Sequence, residues 1–459
     1  MDPLTTAVRD SASFKDPSGF VFSRDGEIFR YVAPIYREHF ELASGSGLQE
    51  HLIRSRLLIE HEDVTGIANE PGAFKTLKLR RLPFVSYPYE WCFSELKDAA
   101  LLTLQIQKIA MEYGASLKDC SAFNVQFLNG KPILIDTLSF EKYEEEPWVA
   151  YRQFCEQFLA PLALMSYRDI RLGKLLEANI EGIPVDLAAA LLPARAAWNV
   201  GLFTHLRLHS YFQARSGSAE GVTRAKLARK NLMAILDNLE STIRSLKYET
   251  KKSTWSDYKD ERSYGASSLQ HKKQVVDQLI GRLSPRMVWD IGANTGEFAC
   301  PIAEKGIHTV ALDFDPVCVE IDYVSNVRNR AVPLLPLCVD IASPSPSLGW
   351  AHRERKSLAE RGPADVALAL ALIHHLAITR NVPLLHIAEF FAKIADALIV
   401  EFVPPDDGQV KRLLSTKKGS WHEYGEPQFL EAFDRYFVLE RREQIMESGR
   451  LLTLFRKRK

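Results

Sequence analysis

Three sets of residues in this chain have the types and spacing to do chemistry. In the first, the apolar run Met287-Val288-Trp289-Asp290-Ile291 leads straight into Gly292-Ala293-Asn294-Thr295-Gly296. A strand that ends in a tight glycine turn lets a ligand approach the backbone, because no side chain stands in the way. Asn294 holds the middle of that turn, and asparagine is one of the few other residues that accept a left-handed backbone. A second apolar run, 309–312, ends in Asp313, 23 residues after Asp290. An acid there can accept both hydroxyls of a ribose. A third run, Leu337-Cys338-Val339-Asp340, ends in a further carboxylate, where the amino group of an adenine would lie.

The second set follows two more apolar runs. His374-His375 come after 364–373, and Glu401 sits inside Ala397-Leu398-Ile399-Val400-Glu401-Phe402-Val403. A histidine titrates near neutrality and can take the proton of an alcohol or phenol; the other reading is that one of the pair caps the strand or orients a neighbour. Adjacent side chains on an extended strand point to opposite faces, so the pair is not expected to hold a metal. A charge within an apolar run needs a partner, so Glu401 either binds substrate or pairs with a base such as Arg380. Tyr258, Tyr264, Lys272 and Lys273 precede the first of these strands, and they either close over a ligand or begin a solvated helix.

The third set is Asp119, Asn124 five residues later, and Asp136 after the turn Asn129-Gly130-Lys131.

The elements that must position these residues differ between the two ends of the chain. From Trp255 on, helical and apolar strand patterns alternate, which means a parallel sheet with helices on both faces. The stretch 343–363, rich in Pro, Ser and charge, reads as a surface excursion. The first half begins with a hairpin, 19–22 and 27–32 about Arg24-Asp25-Gly26, then helix, short strands around 74–82 and an amphipathic helix over 94–113. From Trp148 to Leu246 the pattern is almost wholly helical. The polar and aromatic stretch 247–264 reads as a linker.

At 459 residues the chain is too long for one core. Hydrophobic content of 46% and charged content of 25% are ordinary globular values and exclude disordered and fibrous classes. Lys plus Arg and Asp plus Glu are 58 each, so no overall field draws the chain to nucleic acid or to an anionic membrane. No run of 18 apolar residues occurs, and Met1-Asp2-Pro3-Leu4 lacks the look of a secretion signal, so a cytoplasmic protein is expected. The six cysteines show no metal spacing, consistent with a reducing compartment.

The set Asp290, Gly292, Asn294, Gly296, Asp313 and Asp340 resembles the class I S-adenosylmethionine-dependent methyltransferases, over all of the chain from Trp255. A nicotinamide-binding domain is the competitor, but the loop is G-x-x-x-G headed by an acid rather than G-x-G-x-x-G. The runs 368–383 and Glu401-Phe402-Val403-Pro404 look like the bacterial nodulation-protein-related members of that family. The resemblance implies an α/β, Rossmann-like seven-stranded sheet over 265–459. It also implies S-adenosyl-L-methionine as cofactor, with Tyr264 and Lys273 at its mouth, and His374, His375 and Glu401 facing the methyl group. No Asn-Pro-Pro-Tyr run follows the fourth strand, which argues against methylation of base amines and leaves a hydroxyl of a small molecule or glycan as the expected acceptor. No metal is expected in this domain.

The third set resembles the catalytic loop of protein kinases and aminoglycoside phosphotransferases, implying an α+β kinase-like domain with a largely helical C-lobe over 1–246. In that family the first Asp takes the hydroxyl proton, while the Asn and second Asp hold magnesium for ATP. Here Leu117 replaces the usual His, Thr137-Leu138 replaces Phe-Gly, and no glycine-rich phosphate loop lies near Gly19. Substrate recognition is therefore expected of this half, with a bifunctional kinase and methyltransferase as the second reading and a non-catalytic cofactor-binding scaffold as the third. Acceptor is expected to be held between the two halves, over the edge carrying His374, His375 and Glu401.

Overall fold

The computed structural model describes residues 7–66, 70–208, 226–249, 265–415 and 424–458. The chain divides into two compact units, one made of 1–249 with 349–355 and the other of 250–348 with 356–459. Part of the excursion expected at 343–363 thus belongs to the first unit.

The first unit opens with strands β1 (Val8–Arg9), β2 (Gly19–Arg24) and β3 (Glu27–Val32), and continues with β4 (His61–Asp63) and β5 (Lys75–Leu79). They form one antiparallel sheet in the order β1-β2-β3-β5-β4. Asp25 and Gly26, at φ 54° and 78°, make the two-residue turn between β2 and β3 that the twist of a hairpin requires. Helices Arg37–Gly45 and Leu48–Arg54 lie between β3 and β4. Helix Phe93–Glu112 follows, started by Glu95 reaching back to the Cys92 amide. Two small antiparallel ribbons come next: β6 (Ala115–Leu117) with β9 (Phe140–Lys142), and β7 (Val125–Leu128) with β8 (Lys131–Leu134). From Tyr151 to Ser245 the described residues hold helices and turns and no strand.

The second unit is a seven-stranded sheet. Its strands are β10 (Met287–Ile291), β11 (His308–Asp313), β12 (Leu334–Cys338), β13 (Ala364–Ala369), β14 (Ala395–Phe402), β15 (Phe437–Gln444) and β16 (Leu451–Lys457), in the order β12-β11-β10-β13-β14-β16-β15. The first five strands run parallel, and β16 enters antiparallel between β14 and β15. The chain goes from β10 outward to β12, then returns across the sheet to β13, so the order reverses between β10 and β13. Such a reversal leaves a crevice at the carboxyl ends of the central strands. Val288, Val366, Leu368 and Ile399 belong to near-continuous apolar runs, as expected of parallel strands buried on both faces. Helix Ala266–Leu283 covers them with Val275, Val276, Leu279 and Ile280, and full burial of each such side chain stabilises by about 1.5–3 kcal/mol. Ser284, at φ 44°, ends that helix. All six cysteines are buried and none forms a disulfide. Among the described residues no helix is long and apolar enough to cross a membrane.

Candidate functional site

The glycine turn lies at the carboxyl end of β10, beside the reversal. Gly292 and Gly296 have φ of 80° and 82°, and Asn294 has φ of 51°, so all three occupy the left-handed region. A Cβ on Gly296 would stand 2.2 Å from Oδ1 of Asp322, so only glycine permits this approach. Asn326, one helical turn after Asp322, donates to that carboxylate at 2.7 Å and to the Thr295 carbonyl at 3.0 Å, tying the helix to the turn.

Three carboxylates crowd this turn. Asp290, Asp313 and Asp322 are 2%, 7% and 1% exposed. Burial pushes Asp290 up to about 7, and the neighbouring charge of Asp322 adds to it. Asp322 is likewise pushed up to about 7 by burial, and Asp313 to about 6. Asp313 is the best supported of the three, accepting from the amides of Asn294 and Asp315 at 2.8 Å each. Oδ2 of Asp290 and Oδ2 of Asp322 are buried with no hydrogen-bond partner. Asp340, just past β12, is held by Arg380 at 2.8 Å and by the Ala342 amide at 2.9 Å.

The end of β13 differs from the expected run. The strand stops at Ala369, Ala371 turns left-handed at φ 51°, and the amides of His375 and Leu376 both return to the Leu372 carbonyl. His374 and His375 therefore stand in a helical turn rather than on an extended strand, with ring centroids 4.2 Å apart. Opposite facing on a strand is corrected to side-by-side packing on a turn. Leu372 lies 3.4 Å from where a Gly292 Cβ would be, which brings this turn against the glycine loop. Burial lowers both imidazoles, His375 to about 4 and His374 well below its usual value, so both are neutral at pH 7. His374 is 2% exposed and its Nδ1 has no partner.

Glu401 requires a correction. Its carboxylate is fully buried on β14, with Lys272 Nζ at 2.8 Å on one oxygen and Arg450 Nη1 at 3.1 Å on the other. Arg450 continues to Asp407 at 2.9 Å. The charge within the apolar strand is offset by these two cations and not by Arg380, which leaves Glu401 no face for substrate. Lys272 is 1% exposed and also lies 4.6 Å over the Phe298 ring. Lys273 instead reaches outward to Glu297 at 2.7 Å with 40% of its side chain exposed. Helical spacing carried this distinction: Ser268, Lys272, Val275 and Leu279 form the buried stripe, and Lys273 is off it. Asp322 and Asn326 escaped the sequence reading because no strand end or glycine marks them. Tyr258 and Tyr264 lie outside the described residues.

In the first unit Asp119 and Asp136 flank the β7-β8 ribbon. Asp136 pairs with Arg30 of β3 at 2.9 Å and accepts from the Ser139 hydroxyl and the Leu138 amide. Asp119 accepts from the Ser121 amide and from Gln153. Asn124 closes a short turn, its backbone amide donating to the Ser121 carbonyl and its carbonyl accepting from the Ile135 amide, while its side-chain Nδ2 is buried with no partner. Among the described residues no group of three His, Cys, Asp or Glu is placed to hold a metal.

A mixed sheet with five parallel strands, helices about it and a carboxylate-lined glycine turn at its point of reversal marks a mixed α/β protein. No family model matches the sequence. The nodulation protein NoeA of Rhizobium meliloti (strain 1021) is 34% identical over 458 residues, which cover 97% of this chain and 96% of that protein. The chain belongs to the NoeA family of nodulation proteins.

Solved structures overlap it only in part. The N-methyltransferase NodS from Bradyrhizobium japonicum WM9, in complex with S-adenosyl-L-homocysteine, matches 45% of this chain and 95% of its own at 13% identity and a TM-score of 0.33. The magnesium protoporphyrin IX methyltransferase from Synechocystis PCC 6803 with bound S-adenosylmethionine matches 41% and 80% at 16% identity and a TM-score of 0.28. WbdD matches 44% of this chain and 43% of its own at 16% identity and a TM-score of 0.32, so this chain spans less than half of that protein.

Proposed function

We propose that the second unit is an S-adenosylmethionine-dependent methyltransferase whose acceptor is a hydroxyl of a small molecule or glycan. The observation that carries this reading is the pair of buried carboxylate oxygens, Oδ2 of Asp290 and of Asp322, left without a partner beside the Gly292–Gly296 turn. Carboxylates so placed are costly on their own and are offset by a cation that enters the crevice. The ammonium of S-adenosylmethionine has that charge, and the cofactor supplies an electrophilic methyl group on a sulfonium.

The residues present fit the group. Asp290 and Asp322 would take the amino acid end, the missing side chain at Gly296 lets Asp322 close on the turn, and Asp313 keeps lone pairs for ribose hydroxyls beyond the two amides it accepts. Asp340 shares its carboxylate with Arg380, so an adenine amino group would meet an acid already paired. His374 and His375 are neutral at pH 7, and of the two His375 is the one not fully buried, so it is placed to meet an acceptor hydroxyl and orient its oxygen, with His374 packed behind it. When the oxygen–methyl bond formed and the sulfur–methyl bond broke, leaving S-adenosylhomocysteine, the hydroxyl proton would pass to an imidazole, whose lowered basicity makes it a carrier rather than a resting place.

The bifunctional reading is disfavoured by one contact, Arg30 on Asp136, which puts a guanidinium where magnesium would be needed. Calorimetry with S-adenosylhomocysteine tests the proposal. The wild type should bind it, and Asp290→Asn with Asp313→Ala should not. No binding to the wild type, or equal binding to both, would sink the assignment. A further reading in this frame is that the first unit recognises the acceptor.

A further inference from the structure

The first unit contains a cavity that the methyl-transfer reading does not use. It measures about 550 Å³ and lies between the two helices after β3 and the strands β4 and β5. Its apolar lining comes from Phe40, Ile53, Phe74 and Leu77, with Gln49 and His61 as polar groups among them. The volume is that of an ordinary small-ligand site, and a few placed polar groups in an apolar wall are what such sites use to orient a ligand.

Gln49 is the decisive residue. It is 7% exposed, and its Nε2 has no hydrogen-bond partner. A buried amide without a partner destabilises the folded chain, and leucine at that helical position would bury as well without that penalty. A donor kept at such a cost and lining a cavity is accounted for by an acceptor that arrives from outside. His61 supplies the complementary group. Its Nδ1 lies 3.0 Å from the Ile59 carbonyl, which can only accept, so Nδ1 carries the proton. Burial keeps the ring neutral, leaving Nε2 as an acceptor.

The charges at the rim bear on the kind of ligand. Asp63 is paired with Lys75 at 2.6 Å and Glu50 with Arg54, so neither offers a bare carboxylate. Glu41 stands exposed at the mouth as a further acceptor. Phe40 and Phe74 meet edge to face at 6.0 Å, and Arg37 covers one face of Phe74 at 4.5 Å. A wall of aromatic and aliphatic groups with one fixed donor and one fixed acceptor suits a ring that has an apolar C–H face and hydroxyls able to both donate and accept.

We propose that this cavity binds a neutral pyranose unit through Gln49 and His61, with its C–H face against Ile53 and Phe74. The site is independent of the cofactor crevice and of the methyltransferase reading.

The test uses the full chain and saturation-transfer difference NMR with glucose, mannose, galactose and N-acetylglucosamine, and with linear tetrasaccharides of glucose and N-acetylglucosamine. At least one sugar should give signal, lost at least tenfold in Gln49→Leu and several-fold in Glu41→Gln. Gln49→Leu should melt at or above the wild-type temperature, since it removes an unpartnered buried amide. Tighter binding of a tetrasaccharide than of its monomer identifies a glycan end as the ligand, and equal binding identifies a free sugar. Should Gln49→Leu fail to fold, His61→Phe serves in its place with the same expected loss. The proposal is overturned if no sugar binds, if the variants bind as the wild type does, or if tetramethylammonium binds in place of the sugars.

Discussion

The two acid clusters of this chain contrast in a way that says more than either alone. In the first unit, Asp136 has a guanidinium, a hydroxyl and an amide, and Asp119 has an amide and a glutamine side chain. In the second unit, Asp290 and Asp322 each keep a buried oxygen with nothing to accept from. Asp136 has partners from its own fold on both oxygens, while Asp290 and Asp322 each keep one oxygen without a partner, even though Asn326 donates to the other oxygen of Asp322. The sequence already set the two clusters apart, through Leu117, Thr137-Leu138 and the missing glycine-rich loop in the first half; the partners of the carboxylates add a second difference.

Glu401 gives the most severe way to break this comparison, because it is the buried acid of the second unit that already has its cations. Lys272→Met would strand one of its oxygens, and removing one partner of a buried pair costs about 3–5 kcal/mol. The melting temperature should fall on the order of 10 °C, and adding Glu401→Gln should recover most of it. A fall of less than about 2 °C in calorimetry of Lys272→Met would show that Arg450 alone settles Glu401.

The next largest effect tests the unpartnered pair. Gly296→Val places a side chain against Asp322, where even a Cβ would stand at 2.2 Å, and forces a branched residue into φ 82°. Affinity for S-adenosylhomocysteine should drop roughly 100-fold or more, equivalent to about 2.7 kcal/mol. Near wild-type affinity in that variant would remove the turn from the site.

A smaller effect follows from proton linkage. Asp290 and Asp322 ordinarily titrate near 3.8, but in the folded unit near 7. Raised carboxyls bind protons more tightly when folded, so their contribution favours the folded state at low pH and is lost as pH rises through about 7. Their affinity for a cation runs the other way, since it needs the charged form. Between pH 8 and pH 6, S-adenosylmethionine should bind up to about tenfold more weakly per pH unit for each proton that must be displaced. Titration calorimetry at pH 8, 7 and 6 measures this, and pH-independent affinity would mean that the pair is not where the ammonium sits.

What the sequence disclosed of this contrast was the frame. The apolar runs carrying Asp290, Asp313 and Asp340 at or near their ends announce strand ends, and the glycines after Ile291 announce a turn, because each rests on local patterning that a single segment carries. The helical stripe holding Lys272 was equally local, though it takes the burial of Ser268, Val275 and Leu279 to show that Lys272 and not Lys273 faces inward. The turn at His374 was hidden, since an apolar run continues past Ala369 while the chain already bends at Ala371. Asp322, Asn326 and Arg450 act across long sequence separations, through contacts only the fold creates.

The smallest effect is expected at Asp136, whose carboxylate is already paired. Were the first unit to bind magnesium and ATP through Asp119, Asn124 and Asp136, Arg30 would have to leave Asp136, exposing a buried acid and a guanidinium that is itself 9% exposed. Ligand binding to the folded state raises the melting temperature by mass action, whereas a site closed by its own ion pair gives no such gain. Millimolar magnesium and ATP should therefore shift the wild-type melting temperature by less than about 1 °C, against several degrees expected at a hundredfold excess over a dissociation constant. Arg30→Ala supplies the other half of the test. It frees Asp136 at a stability cost of about 3–5 kcal/mol, and if the pair is all that closes the site, magnesium and ATP should then stabilise the variant and not the parent. A clear magnesium-dependent shift in the wild type would mean that the ion pair opens readily, and the two acid clusters would no longer differ in kind.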